Sequence, residues 1–263
     1  MSYRTGRLLR CTEMSLVLAL CLAAAPAPGQ GTNWSRVVAA LQLVAEEYSE
    51  ALELHDRDAA RRRQLELAEL LERVAALVPA PDIRAGVESI LTRSLGVDYK
   101  LGGDCRALVQ QVLEHAPIRR TPHAKPDLAK GKKLYADACA ACHGADATGD
   151  SSLTATMDPP PGNILHPVYN WSPYEMFNRV TYGGAQTAMP SFENAVSEME
   201  RWDIVFYLFA ERWPPCEKPL SPLRADELAL LGDFELGNRF GYGAASCLRR
   251  EFLPPAPPDD RKR

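Results

Sequence analysis

Two cysteines and a histidine stand in the order Cys139-Ala140-Ala141-Cys142-His143, within the stretch DACAACHGADATGD (137–150). This spacing suits covalent attachment of a haem. Each thiol can add across one vinyl group of the porphyrin, giving two thioether bonds. The two-residue gap sets the sulfurs about one helical turn apart, and the next residue, His143, brings an imidazole to the iron. A structural zinc site needs further ligands at comparable spacing, yet the chain has no second Cys-X-X-Cys and no His-X-X-X-His. A thioredoxin-type pair needs a surrounding βαβ pattern, which is also missing. One covalently bound haem c is therefore the expected cofactor, held by Cys139, Cys142 and His143.

The second axial position decides between electron transfer and chemistry at the iron. Met157, Met176, Met189, Met199 and the other histidines are the candidates. Met176 and Met199 fall in predicted helices, where packing is the simpler role. Met157 precedes DPPPG and lies close behind the motif. His166, in NILHPVYN, reads as a surface contact or a contact to the cofactor's carboxylates. His55, His115 and His123 belong to the N-terminal region and linker and are assigned no chemistry. Met189 differs: it stands in GGAQTAMPSF, a loop with glycines at one end and Pro190 directly after it. Such a loop can fold over a flat cofactor. Met189 is the expected second ligand.

The elements that must position these residues are all helical. Val37, Leu41, Val44, Tyr48 and Leu52 recur at three- and four-residue steps, and Leu67, Leu70, Leu71, Val74 and Leu77 repeat the pattern. Shorter helices follow around Ile83–Leu91 and Leu108–Leu113, so residues 33–116 read as an antiparallel helical bundle. APIRRTPHAKP ends in a linker, 117–126. Asp127 is a plausible N-cap for the helix leading to Cys139. SPYE (172–175) and SEME (197–200) are capping boxes that open two more helices, ending at Gly183-Gly184 and before Pro214-Pro215. After 214 a short helix near 225–231 is expected, then a partly disordered extension to 263.

The composition is that of a globular chain, 46% hydrophobic and 24% charged, with a net charge of −4. No basic footprint for nucleic acid is present. Residues 1–30 read as an export signal: Arg4, Arg7 and Arg10 precede an apolar run from Met14 to Ala25 and the small-residue stretch AAAPAPGQG. That run is shorter than the roughly twenty residues a membrane span needs. Leu20 stands where a lipid-attachment signal carries a small residue, which argues against an anchor at Cys21. The mature chain is expected in the periplasm or otherwise outside the cytoplasm, without a membrane span. Of the remaining cysteines, Cys105, Cys216 and Cys247, the pairing Cys216–Cys247 is the expected disulfide. Glu46, Glu50 and Glu53 share one helix face, expected to be a solvated face rather than an iron site. Residues 127–213 hold eleven acidic against six basic residues, which favours a redox partner with a basic docking face.

The order GKKLYADACAACHG, a proline-rich loop, a middle helix, AMPSF and an aromatic last helix resembles class I c-type cytochromes over about 127–213. The resemblance implies an all-α fold, a His143/Met189-ligated haem, and a close crossing of the first and last helices at Gly131 facing Phe206 or Tyr207. It also implies a carbonyl of Pro159, Pro160 or Pro161 accepting a hydrogen bond from His143. Together with the EEYSEAL region, PDLAKGKKLYADACAACHG, MDPPPGN, SPYEMFNRVTYGG and TAMPSFENAVSEMERWDIVFYLF also resemble the extracytoplasmic cytochrome portion of bacterial cytochrome/high-affinity iron permease fusions, here without the permease. That likeness implies a membrane iron permease as partner and a link to iron uptake. The function expected is a non-enzymatic, single-electron carrier. The alternatives are a haem enzyme or sensor with a displaceable sixth ligand, and a docking module.

Overall fold

The architecture follows from helix signals in the sequence. In the computed structural model, residues 34–77, 80–93, 100–115, 118–166, 171–184 and 187–257 are described. The expected signal, 1–30, lies outside them. The N-terminal helices are α1 (Trp34–Glu53), α2 (Arg57–Leu77), α3 (Pro81–Arg93) and α4 (Leu101–His115). Then come α5 (Leu128–Ala138), α6 (Ala140–His143), a 3-10 turn (Thr154–Thr156), α7 (Pro173–Tyr182) and α8 (Glu198–Glu211). The chain continues with α9 (Ala225–Ala229), α10 (Asp233–Phe240) and α11 (Ala244–Leu248). The fold is all-α. Among the described residues the only β-type pairing is an isolated bridge, Arg224 with Leu253, and no helix is long and apolar enough to cross a membrane.

Caps begin the haem-region helices where the sequence indicates. Asp127 accepts hydrogen bonds from the amides of Ala129 (2.9 Å) and Lys130 (3.0 Å), satisfying two of the donors a helix start leaves open. Ser172/Glu175 and Ser197/Glu200 form complete capping boxes at α7 and α8. Gly183, at φ 80°, ends α7.

α1 is buried on more than one side: Val38, Gln42 and Ala45 are buried as well as Val37, Leu41, Val44, Tyr48 and Leu52. One reason is α4, whose Gly102 sits so close that a Cβ would lie 3.0 Å from the Ala45 carbonyl oxygen. The other is α7. The Asn178 side-chain amide donates to Gln42 Oε1 at 3.0 Å, both groups being buried, and Arg179 donates to Glu47 Oε1 at 2.6 Å. The described residues from Ser35 onward accordingly form one compact unit; α1 and α4 are packed together with α7.

α5 and α8 cross at Gly131. A Cβ there would fall 2.0 Å from the Asp203 carbonyl oxygen and 2.9 Å from Tyr207 Cβ. The partners at the crossing are thus Asp203 and Tyr207. The Asp203 carboxylate also accepts from the Asp127 amide at 2.8 Å, tying the start of α5 to the middle of α8.

Beyond α8 the described residues run to Pro257 and include α9, α10 and α11. Asp233 accepts from Arg249 Nε (2.9 Å), Trp213 Nε1 (2.9 Å) and Arg212 Nη1 (3.2 Å). Phe252 packs on Phe206 with ring centroids 5.0 Å apart. Cys216 and Cys247 form the expected disulfide. Helices α10 and α11 had no clear signal in a stretch broken by Gly232, Gly237, Gly241 and Gly243; they are held by these contacts.

The α5–α8 crossing carries the first prediction. Gly131→Ala puts a methyl against helix backbone that has no rotamer in which to yield, at a cost of about 3 kcal/mol. A denaturant titration of the full chain should show a clearly lowered midpoint; an unchanged midpoint would contradict the crossing.

Candidate haem site

The motif is shaped by its flanks. Cys139 ends α5, its amide bonded to the Tyr135 carbonyl, and the His143 amide returns to the Cys139 carbonyl at 3.0 Å. Tyr135, buried between α5 and α8, donates its hydroxyl to the Gly144 carbonyl at 2.7 Å and fixes the exit from the motif. The chain then curls back: the Gly149 amide bonds the His143 carbonyl (2.9 Å) and the Ile164 amide bonds the Ala147 carbonyl (3.0 Å). Gly149 has φ 84°, and a Cβ there would meet the Pro161 carbonyl oxygen at 2.4 Å. The proline loop is thereby laced against the motif, and Arg212 of the α8 end donates to the Ile164 carbonyl at 3.0 Å.

Cys139 and Cys142 are free thiols, not bonded to each other. Burial, then the neighbouring Cys142, pushes the Cys139 thiol up to about 11. Burial also lowers the His143 pKa, favouring the neutral imidazole that can bind a metal. The backbone of Gly162 favours a proton on the ring, yet no hydrogen bond of good geometry forms, and Nδ1 is an orphaned buried atom. The expected hydrogen bond to a carbonyl of Pro159, Pro160 or Pro161 is not formed at Nδ1.

The loop holding Met189 is seated on the end of α7. The Gly184 amide bonds the Met189 carbonyl (3.3 Å), Ser191 Oγ donates to the Thr181 carbonyl (2.7 Å), and the Phe192 amide reaches the Val180 carbonyl (3.3 Å). Thr187 Oγ1 accepts from the Met189 amide at 3.2 Å. Gly183 is required here, since a Cβ would lie 2.6 Å from the Met189 carbonyl oxygen. Arg201 braces the next turn by donating to the carbonyls of Glu193 (2.9 Å) and Val196 (2.6 Å).

Cys139, Cys142, His143 and Met189 all line one cavity of about 450 Å³. Its apolar wall includes Ile204 and Leu208 of α8. Two unbridged thiols at the required spacing, a neutral imidazole, an orphaned ring nitrogen, a thioether and an apolar wall fit a covalently attached haem. Met157 and Met176 also line this cavity, Met176 being buried on α7. Met199 and His166 do not. His55 lies exposed in the α1–α2 turn with Nδ1 2.9 Å from the Glu53 carbonyl, and His123 is 3.8 Å from Glu198.

Two features of this region are not legible in the sequence. Glu47 of α1, Leu54 of the α1–α2 turn and Arg63 of α2 line the same cavity; period and composition along α1 and α2 give no sign of it. The expected solvated face is also only partly so. Glu46, Glu50 and Glu53 border a second cavity of about 480 Å³ with Arg106, His166 and Glu175. Among the described residues no group of three or more His, Cys, Asp or Glu is arranged to hold a metal.

Residues 126–208 match the family described as "Cytochrome C oxidase, cbb3-type, subunit III". The match supports a c-type cytochrome over that segment, with haem c and a haem electron-transfer role. A solved structure of the Kuenenia stuttgartiensis reducing HAO-like protein complex aligns at 21% identity over 44% of this chain, with a TM-score of 0.34. This chain spans 61% of the length of that one, and a likeness so low carries no structural weight. No curated protein matches the chain.

The second cavity gives a pH prediction. Burial, then the Glu175 carboxylate, raises Glu46 well above its ordinary 4.5. A carboxyl that binds its proton more tightly when folded opposes folding as pH climbs past the unfolded value. Wild-type stability should therefore fall as pH rises above the carboxylate range until Glu46 ionises, and Glu46→Gln should remove that part of the fall. Urea titrations near pH 5 and near pH 8 should show the variant gaining on wild type at the higher pH. An equal difference at both would refute the linkage.

Proposed function

We propose that the protein is an exported, mono-haem c-type cytochrome that passes single electrons to and from a protein partner. Cys139 and Cys142 would carry the two thioether bonds, and His143 and Met189 would bind the iron. The reading is supported above all by the common lining of one cavity by these four side chains. Bound haem supplies the one-electron ferric/ferrous couple. The chain's own part is to hold it. Tyr135 fixes the motif exit, Gly183 admits the Met189 loop, and Ile204 and Leu208 keep water from that wall. Closing the coordination sphere with a thioether favours a raised potential and electron transfer over ligand activation.

The acidic surface of 127–213, eleven carboxylates against six cations, favours a partner with a basic face. Export fits the arginine-led apolar stretch at the N-terminus and the Cys216–Cys247 disulfide. A membrane iron permease is the partner class that the sequence likeness to permease-fused cytochromes suggests, and with it a link to iron uptake.

Protein matured in a host able to attach haem should gain the mass of one haem, and its colour should stay with the polypeptide in acidified organic solvent. Free colour, or no added mass, would overturn the assignment. Met189→Ala should abolish the near-infrared charge-transfer band of the oxidised form, lower the reduction potential, and let the reduced form bind carbon monoxide. A wild type that already binds carbon monoxide would favour the sensor or enzyme reading.

A further inference from the structure

Glu47 of α1, Arg63 of α2 and Arg179 of α7 meet at the wall of the cavity that holds the cysteines, His143 and Met189. Glu47 bridges the two guanidiniums: Arg63 Nε lies 2.9 Å from Oε2, and Arg179 Nη1 lies 2.6 Å from Oε1. All three side chains are 11–13% exposed. Arg179 Nε is buried without a hydrogen-bond partner, and its guanidinium lies 5.4 Å from the Trp171 ring centroid. Two of the three charges belong to helices that the cytochrome-like segment 126–208 does not contain.

We propose that Glu47 and Arg63 are positioning residues of the haem site: Glu47 holds Arg179 at the cavity wall, Arg63 holds Glu47, and the triad sets the reduction potential. The proposal rests on the haem reading above. The physical reason is dielectric. Charges withdrawn from water act over the cavity more strongly than exposed ones, and the ferric state carries one more positive charge than the ferrous. A cation at the wall disfavours oxidation, and an anion favours it. Glu66, 2.7 Å from Arg63 Nη1, has a side chain 29% exposed, and Glu50 and Asp56, which also border the cavity, are exposed. Water screens all three more strongly than the triad. Arranged this way, the N-terminal helices do more than cover the cofactor: they supply charges that the cytochrome segment lacks.

The test compares signs in holoprotein with equal haem content. Glu47→Gln should raise the potential and Arg63→Gln should lower it. Each should move the reduction equilibrium about threefold, about 28 mV at 59 mV per decade for one electron. Glu47→Asp keeps the charge and should leave the potential near wild type, which also covers the case in which Glu47→Gln fails to fold. A purely structural role predicts shifts in one direction for both, as each opens the site to water. Shifts of one sign, or no shift in either variant, would overturn the proposal while the haem assignment stands. Absence of covalent haem from the wild type would overturn both.

Discussion

The structure depends on the contact between two helices at Gly131. With no side chain at that point, α5 comes against the backbone of α8 at Asp203. From this crossing α5 delivers the motif cysteines to one side of the site while α8 presents Ile204 and Leu208. Asp203 locks the arrangement by accepting from the Asp127 amide, so the residue that starts one helix is bonded to the middle of the other. Buried Tyr135 then transmits that geometry to Gly144. A larger residue at 131 would separate the helices and move the cysteines away from the wall they face.

Around this frame the site is completed by loops with little regular structure, and each is fastened at several points. The proline loop is bonded to the turn after His143 and pinned by Arg212. The Met189 loop sits on the end of α7 through main-chain bonds and the hydroxyls of Ser191 and Thr187. Such redundancy suits an electron carrier, in which little reorganisation between oxidation states is an advantage. The extension after α8 contributes by clasping the end of that helix through Asp233 and Phe252.

The N-terminal helices alter what the cytochrome module amounts to. Arg179 of that module is paired with Glu47 of α1, and Glu47 is shared with Arg63 of α2. Gln42 and Asn178 make a second polar tie. Buried polar pairs of this kind contribute modestly to stability but penalise misregistered docking, because an unpaired partner would be left without water. Both ties place α1 in one register against α7.

Much of the site was legible from sequence because its determinants are local. The Cys139–His143 spacing, the caps at Asp127, Ser172 and Ser197, and the glycines ending α7 all act within a few residues, and each appears where the sequence put it. Gly131 was legible as a crossing point through the family resemblance, with Tyr207 as one of two partners it implied; the contact with the Asp203 carbonyl was not. The tertiary structure alone decided that Glu47 and Arg63 reach the cavity lined by the motif cysteines, that Glu46 lies half-buried near Glu175, and that residues after 214 fold onto α8. These depend on contacts between residues far apart in the chain, some by more than a hundred positions. Periodicity records that a face is buried; it carries no label for what buries it.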